Sequence, residues 1–249
     1  MEISGLRMEK SMWRFIVDKI GVRRSWDIKN VLVSALPSPV LTALNNRLIS
    51  LVPRHYYEKR IIFVHVPKAA GTSIALSIYG RRVNHQPALL LRKADPQFWK
   101  QVYKFAVVRH PYERLVSAYD YLRVGGTSEV PIDDRRSVAG VGLSSFDDMV
   151  SWLEDNFESV RKFDYVLWPQ YWFVCDEDEK PIVDQIFKME EIGKLEQALC
   201  MRGIVNGRIP HLNRSDSAGA SVRIPLSEDM KQRIAKLYRQ DFAIFGYAA

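Results

Sequence analysis

Residues 61–80 read IIFVHVPKAAGTSIALSIYG, in which an apolar run is followed by a loop of small and polar residues and then by a helical pattern. The run at 61–66 lies between charged residues and Pro67, which predicts a buried strand. The pattern after the loop predicts a helix that begins near Ile74. Because the first turn of a helix presents N–H groups without partners and a partial positive charge, the loop is suited to binding phosphate or sulfate.

The loop carries the groups that an anion site needs. A lysine supplies a mobile full charge, two hydroxyl groups supply donors, and small residues let the backbone approach an anion closely. The candidate ligands are Pro67, Lys68, Ala69, Ala70, Gly71, Thr72 and Ser73. In the Walker A loop GxxxxGK[ST] the lysine follows the second glycine. Here Lys68 precedes Gly71, so the pattern of P-loop kinases and ATPases is not matched.

A second strand-to-helix segment, FAVVRHPYERLVSAYDYL at 105–122, carries another anion-binding pattern. An apolar run at 105–108 predicts a strand that ends at Arg109, and Pro111 suits the first turn of the next helix. Ser117 lies eight residues after Arg109, along that helix. A guanidinium at a strand end and a hydroxyl on the following helix can clamp an anion. Two strand-loop-helix units in succession predict an α/β fold with a parallel sheet.

The two loops together resemble those of the sulfotransferases that use 3′-phosphoadenosine 5′-phosphosulfate (PAPS). The first matches the family pattern P-K-x-[AG]-[GS]-T-S, and the second matches R-[DNH]-P-x-x-R-L-x-S-x-Y. Three later stretches are also similar to family segments, namely FDYVLWPQYWF at 163–173, IPHLNRSDS at 209–217 and LYRQDFAIFGY at 237–247. These late stretches resemble the carbohydrate branch, which includes Golgi-type enzymes and the bacterial family 2.

The resemblance implies a single α/β domain of the P-loop-like sulfotransferase fold, with a central parallel sheet flanked by helices. It also implies in-line transfer of a sulfuryl group from PAPS to a hydroxyl of a carbohydrate or glycan. The other product is then 3′-phosphoadenosine 5′-phosphate (PAP), and no metal is required. Lys68 is then expected to neutralise the departing 5′-phosphate, and Arg109 and Ser117 to bind the 3′-phosphate. Further cofactor contacts are expected from His211, Asn213 and Ser215.

A general base is also needed to activate a sugar hydroxyl. His85 is the first candidate, because it follows the first helix, where related carbohydrate sulfotransferases carry a G-H-x-P-like element. Asn84 departs from that element, since a small residue is usual there. The acceptor site is expected in the loop 123–145 and in residues 146–175, where Trp168, Tyr171 and Trp172 are candidates for stacking on sugar rings.

Composition excludes several other classes of protein. The net charge of +7 favours anionic partners, but runs of Lys and Arg are at most two residues long, so nucleic-acid binding is not expected. Two cysteines and five histidines without metal-ligand spacing predict neither a disulfide framework nor a metal site. There is no apolar run of membrane-spanning length and no signal-peptide pattern, so a full-length chain of this sequence is expected to be cytoplasmic.

Residues 1–58 form a separate segment in this interpretation, ahead of a sulfotransferase domain at 59–249. The segment has a helical pattern that Pro37 and Pro39 are expected to break and Pro53 to end. Its nine basic and five acidic residues leave two roles open, peripheral contact with a membrane and packing against the sheet.

Two other functions stay open, together with the oligomeric state. One is a P-loop-type nucleotide or sugar kinase, which would require a metal and ATP. The other is a non-catalytic protein that binds PAPS or a polyanion.

Overall fold

The computed structural model describes residues 36–47, 50–127, 130–131, 144–162, 165–210 and 224–249. The strands are β1 (Ile61–Val64), β2 (Tyr103–Val108), β3 (Gly126–Thr127), β4 (Val130–Pro131) and β5 (Gln185–Lys188). The helices are α1 (Ser38–Arg47), α2 (Arg54–Lys59), α3 (Gly71–Tyr79), α4 (Ala88–Ala94), α5 (Pro96–Gln101), α6 (Pro111–Arg123), α7 (Phe146–Asn156), α8 (Tyr171–Val174), α9 (Ile192–Met201), α10 (Glu228–Leu237) and α11 (Arg239–Phe245). Short 3₁₀ turns lie at Phe157–Lys162, Tyr165–Leu167 and Met189–Glu191.

The central sheet is parallel and has the order β1-β2-β5. Phe63 of β1 is in register with Phe105 of β2, and Val107 of β2 is in register with Phe187 of β5. Every residue of β1 is buried, which requires that both faces of the sheet are covered. The predicted α/β fold with a parallel sheet and flanking helices is therefore confirmed. The strand β5 was not predicted from the sequence.

The predicted start of the first helix is wrong by one turn. The strand β1 ends at Val64, and α3 begins at Gly71 rather than near Ile74. The cause is Ala70, which has a left-handed backbone with φ of 57° and forms the N-cap of the helix. A left-handed alanine is uncommon and has no sequence signal. As a result, Gly71, Thr72 and Ser73 form the first turn of α3.

The prolines before the sheet lie at the starts of helices. For Pro53 this corrects the prediction that it ends one, whereas the helical pattern that Pro37 and Pro39 are expected to break lies mostly outside the described residues. Pro39 lies in the first turn of α1, and the carbonyl of Pro37 accepts hydrogen bonds from the N–H groups of Val40 and Leu41. Pro53 is the N-cap of α2. A proline is tolerated in a first helical turn because its missing N–H would have no partner there.

The described part of the N-terminal segment packs into the same hydrophobic core as the sheet. Leu41, Leu51, Val52 and Tyr56 are almost fully buried, and the Tyr56 hydroxyl donates to the carbonyl of Phe63 in β1. The predictions for residues 1–35 lie outside the described residues. Within the described ranges, no helix is both long and apolar enough to cross a membrane.

Candidate active site

The loop after β1 has a backbone shape that suits an anion. Lys68 and Ala70 both have left-handed backbones, with φ of 65° and 57°, and alternation of this kind turns successive N–H groups toward a common point. The first turn of α3 follows directly, and it contains no acidic residue. The loop therefore directs backbone N–H groups and the positive end of a helix toward the same region.

The small residues of this loop are also required by packing. The side chain of Ala69 is buried in the core, with 1% of its surface exposed. A Cβ atom on Gly71 would lie 1.9 Å from Cδ2 of His65, which is closer than any real contact. From the sequence, the small residues were expected only to let an anion approach the backbone. The structure adds that residue 71 has no room for a side chain.

Lys68 lies in a crowded, positively charged environment. Its Nζ atom is 4.5 Å from the centroid of the Tyr121 ring, a cation–π distance. The pKa of Lys68 is lowered to about 8, mainly by burial and then by the charges of Arg109 and Arg114, with Asp120 acting in the opposite direction. Three cationic side chains therefore act on one another at the end of the sheet, an arrangement that an anionic ligand would stabilise.

Arg109 lies directly after β2, as predicted, and its backbone is held by a side chain from elsewhere in the chain. Its N–H donates to Oε1 of Gln170 at 2.9 Å, and its carbonyl accepts from Nε2 of Gln170 at 2.8 Å. Its guanidinium contacts Glu113 one turn along α6 at 3.4 Å and remains partly exposed. Ser117 lies further along α6 and is half-buried.

Arg114 is a residue of the site whose role the sequence analysis missed. It is 1% exposed, and it donates through Nε to the carbonyl of Pro67 and through Nη2 to the carbonyls of Val166 and Trp168. It therefore connects α6 to the anion loop rather than facing solvent. The only sequence signal was its place in the motif R-L-x-S, which does not predict burial.

His85 lies over the end of β1, beside a second histidine. Its Nδ1 is 2.9 Å from the carbonyl of His65, and the centroids of the two rings are 3.9 Å apart. Tyr165 lies 4.8 Å away on a centroid-to-centroid basis. Because a carbonyl only accepts, Nδ1 of His85 carries the proton, and Nε2 is the basic nitrogen. Burial, and secondly His65, hold the pKa of His85 well below 6.5, so the ring is neutral.

The second histidine is held by contacts within the fold. His65 is 6% exposed and its Nδ1 lies 3.1 Å from the carbonyl of Val83. Burial lowers the pKa of His65 to about 4. The two histidines therefore form an uncharged pair that joins the segment before α4 to the end of β1.

Some predicted site residues are not tested by the structure. His211, Asn213 and Ser215 lie outside the described residues, as does most of the loop 123–145. Of the aromatic candidates, Trp168 is 5% exposed and its Nε1 donates to the carbonyl of Val160, so it belongs to the core. Tyr171 and Trp172 are half-buried. In the described part of the chain, no group of three or more His, Cys, Asp or Glu residues is arranged to hold a metal.

Comparison with known proteins gives one match. Residues 56–248 match the sequence model of the sulfotransferase family Sulfotransfer_2. No curated protein and no solved structure matches the chain. The family match covers both anion loops, the segment that contains Gln170 and the C-terminal helices. The chain therefore belongs to the sulfotransferase family.

Proposed function

We propose that the protein transfers a sulfuryl group from PAPS to a hydroxyl of a carbohydrate. The observation that carries the proposal is the convergence of Lys68, Arg109 and the first turn of α3 at one end of the sheet. The charges of Arg109 and Arg114 both act on Lys68. Three cationic side chains close together suit a ligand that carries several negative charges.

PAPS carries a negative group at each end, and the residues present fit both ends. The loop after β1 would hold the 5′-phosphosulfate through Lys68 and the backbone of Gly71 to Ser73. Arg109 and Ser117 would hold the 3′-phosphate. When bound, PAPS supplies a sulfuryl group activated by its attachment to phosphate. The chain must then hold the donor, neutralise its leaving group and remove a proton from the acceptor.

Two side chains have the chemistry for the last two tasks. Lys68, with a pKa of about 8, is mainly protonated at neutral pH and can neutralise charge on the departing phosphate oxygen. His85 is uncharged, and its Nε2 can accept the proton of the acceptor hydroxyl as the hydroxyl oxygen bonds to sulfur. The Nδ1–H of His85 is already donated to a backbone carbonyl, which fixes the tautomer that a base requires.

The carbohydrate acceptor is supported by the late stretches at 163–173 and 237–247, which resemble the carbohydrate branch. Tyr171 and Trp172, half-buried in the first of these stretches, are suited to stack on a sugar ring. The kinase alternative lacks support, since Lys68 precedes Gly71 and an arginine rather than an acidic residue follows β2. A non-catalytic binding protein would not need a neutral, oriented histidine beside the anion loop.

The experiment is transfer of radiolabelled sulfate from PAPS to a panel of glycans, phenols and steroids. We expect labelled glycan with the wild-type protein and none with Lys68→Ala. Lys100→Ala, which removes an exposed lysine from α5, is the matched control and should keep the activity. Labelling of phenols alone would contradict the carbohydrate acceptor. A protein that neither transfers the label nor binds PAP would contradict PAPS as the donor. Magnesium-dependent turnover of ATP would favour the kinase.

A further inference from the structure

The side chain of Gln170 forms hydrogen bonds with the backbone of Arg109, the residue that directly follows β2. The strand β2 ends at Val108, so the N–H and carbonyl groups of Arg109 have no ladder partner. The amide side chain of Gln170 bonds to both groups, at 2.9 Å and 2.8 Å. Gln170 is 0% exposed, so water does not compete for these bonds. The backbone of Arg109 is thus held at two points by one side chain.

Gln170 is itself held by a buried carboxylate from the C-terminal part of the chain. Asp241 of α11 is 0% exposed. Its Oδ2 accepts from the N–H of Gln170 and its Oδ1 from the N–H of Tyr171, both at 2.9 Å. Two bonds from the two oxygens of one carboxylate fix the position of this short turn. The position of Arg109 therefore depends on a chain of contacts that starts at Asp241.

The same segment also reaches the other anion loop. Arg114 joins the carbonyl of Pro67 to the carbonyls of Val166 and Trp168. Residues 166–170 therefore contact the 5′ side of the site through Arg114 and the 3′ side through Gln170. These are two separate connections, so a change at Gln170 can act on one side alone.

We propose that Gln170 is a positioning residue for the 3′-phosphate, which it serves through Arg109 without touching the ligand. The inference rests on the proposed function, because it assigns Arg109 to that phosphate. Without the amide, the backbone of Arg109 loses both hydrogen bonds, so the guanidinium is no longer held at a fixed position. Affinity for a nucleotide with a 3′-phosphate then falls, while affinity for a nucleotide with only a 5′-phosphate stays the same.

The test compares the binding of PAP and of adenosine 5′-monophosphate (AMP), which lacks the 3′-phosphate, by titration calorimetry. Gln170→Met keeps the size of the side chain and removes both hydrogen bonds. We expect the wild type to prefer PAP, and Gln170→Met to lose about tenfold in PAP affinity with AMP affinity unchanged. Arg109→Gln should show the same pattern, and Lys68→Ala should weaken both nucleotides. In the transfer assay, Gln170→Met should raise the KM for PAPS and leave kcat unchanged.

A second variant keeps the test decisive if the first does not fold. Gln170→Glu retains an acceptor for the N–H of Arg109 but loses the donor to its carbonyl, so its PAP preference should be reduced as well. An equal loss of PAP and AMP affinity in either folded variant would mean a general structural role and would overturn the inference. A wild type that binds PAP and AMP equally would overturn it too. A wild type that binds neither would overturn the proposed function itself.

Discussion

The ring of His65 occupies the space into which a side chain on residue 71 would point. A Cβ atom built on Gly71 would lie 1.9 Å from Cδ2 and 2.1 Å from Nε2 of His65. The ring cannot easily move, because its Nδ1 is bonded to the carbonyl of Val83 and its face packs on His85. The first residue of α3 therefore packs tightly against the residue that follows β1.

Gly71→Ala is expected to destabilise the protein and to reduce donor binding. Overpacking of this kind costs about 1–3 kcal/mol, which corresponds to roughly 2–4 °C in Tm for each kcal/mol at this chain length. PAP affinity should fall as well, because the first turn of α3 must shift. Thermal unfolding and PAP titration measure the two effects.

The control for this substitution is Gly193→Ala. Gly193 lies in the first turn of α9 and is exposed, and a Cβ atom there would contact nothing within 4 Å. Its Tm should be unchanged or raised, since alanine favours a helix over glycine. The double variant with His65→Ala should recover part of the loss caused by Gly71→Ala. A Gly71→Ala protein as stable as the wild type would contradict the packing shown here.

Arg114→Met is expected to cost about 3–5 kcal/mol of stability. It removes a buried cation that donates to three carbonyls and stabilises the charge of Asp241. Arg54→Met is the control, since Arg54 is exposed and pairs with Glu58 one turn away, an interaction worth about 0.3–0.5 kcal/mol. Urea unfolding measures both. A cost for Arg114→Met as small as that for Arg54→Met would contradict the role of Arg114.

The loss of stability caused by Arg114→Met should also depend on pH, because Arg114 acts on the charge of Asp241. Burial is the main cause that raises the pKa of Asp241, which is about 6 even though the charge of Arg114 lowers it. Removal of Arg114 therefore raises this pKa further above the value in the unfolded chain. A carboxyl whose folded pKa is raised favours the folded state at low pH and loses that contribution as the pH rises. The cost of Arg114→Met should thus be smaller near about pH 5 than near about pH 8.

The elements that the sequence predicted well are those whose signals are local. The strands β1 and β2 are the examples, because each lies in a nearly unbroken apolar run that the sequence shows directly. The strand β5 was missed because it is short and half-exposed, with only Phe187 buried. The start of α3 was missed because nothing in the sequence marks Ala70 as left-handed.

The candidate ligands of the site could be proposed from the sequence, but the residues that hold them in place could not. Lys68 and Arg109 lie in motifs whose chemistry can be read from neighbouring residues, and the structure brings their charges together. Gln170 contacts Arg109 across 61 positions in the chain, and Arg114 reaches Pro67 across 47. Contacts of this range depend on how the helices pack over the sheet, which one sequence does not reveal.

The activity should fall above about pH 8 as Lys68 loses its proton, because the proposed reaction uses its ammonium group at the departing phosphate. After burial, Arg109 is the largest cause of the low pKa of Lys68. Arg109→Gln should therefore move the basic limb of kcat/KM for PAPS to higher pH, although it lowers the rate overall. Arg92→Gln, a change in an arginine of α4 that pairs with Asp176, should leave the limb in place. If the basic limb of the pH profile does not move with Arg109→Gln, the group that titrates there is not Lys68.

The last prediction concerns the base. His85→Ala should lower kcat by about 10²–10⁴-fold, the usual contribution of a general base, and leave PAP affinity unchanged. His85→Gln should be equally inactive, because its amide can still bond to the carbonyl of His65 but cannot accept a proton.

The pH dependence separates this role from a structural one. With a pKa held well below 6.5, the ring of His85 stays neutral through the usual histidine range, so kcat should remain constant as the pH falls through about 6.5. Single-turnover measurements with saturating PAPS and the best acceptor of the panel test both points. A His85→Gln enzyme with wild-type kcat would remove the base from this position, whereas a parallel loss of PAP affinity would show that the pair with His65 mainly supports the anion loop.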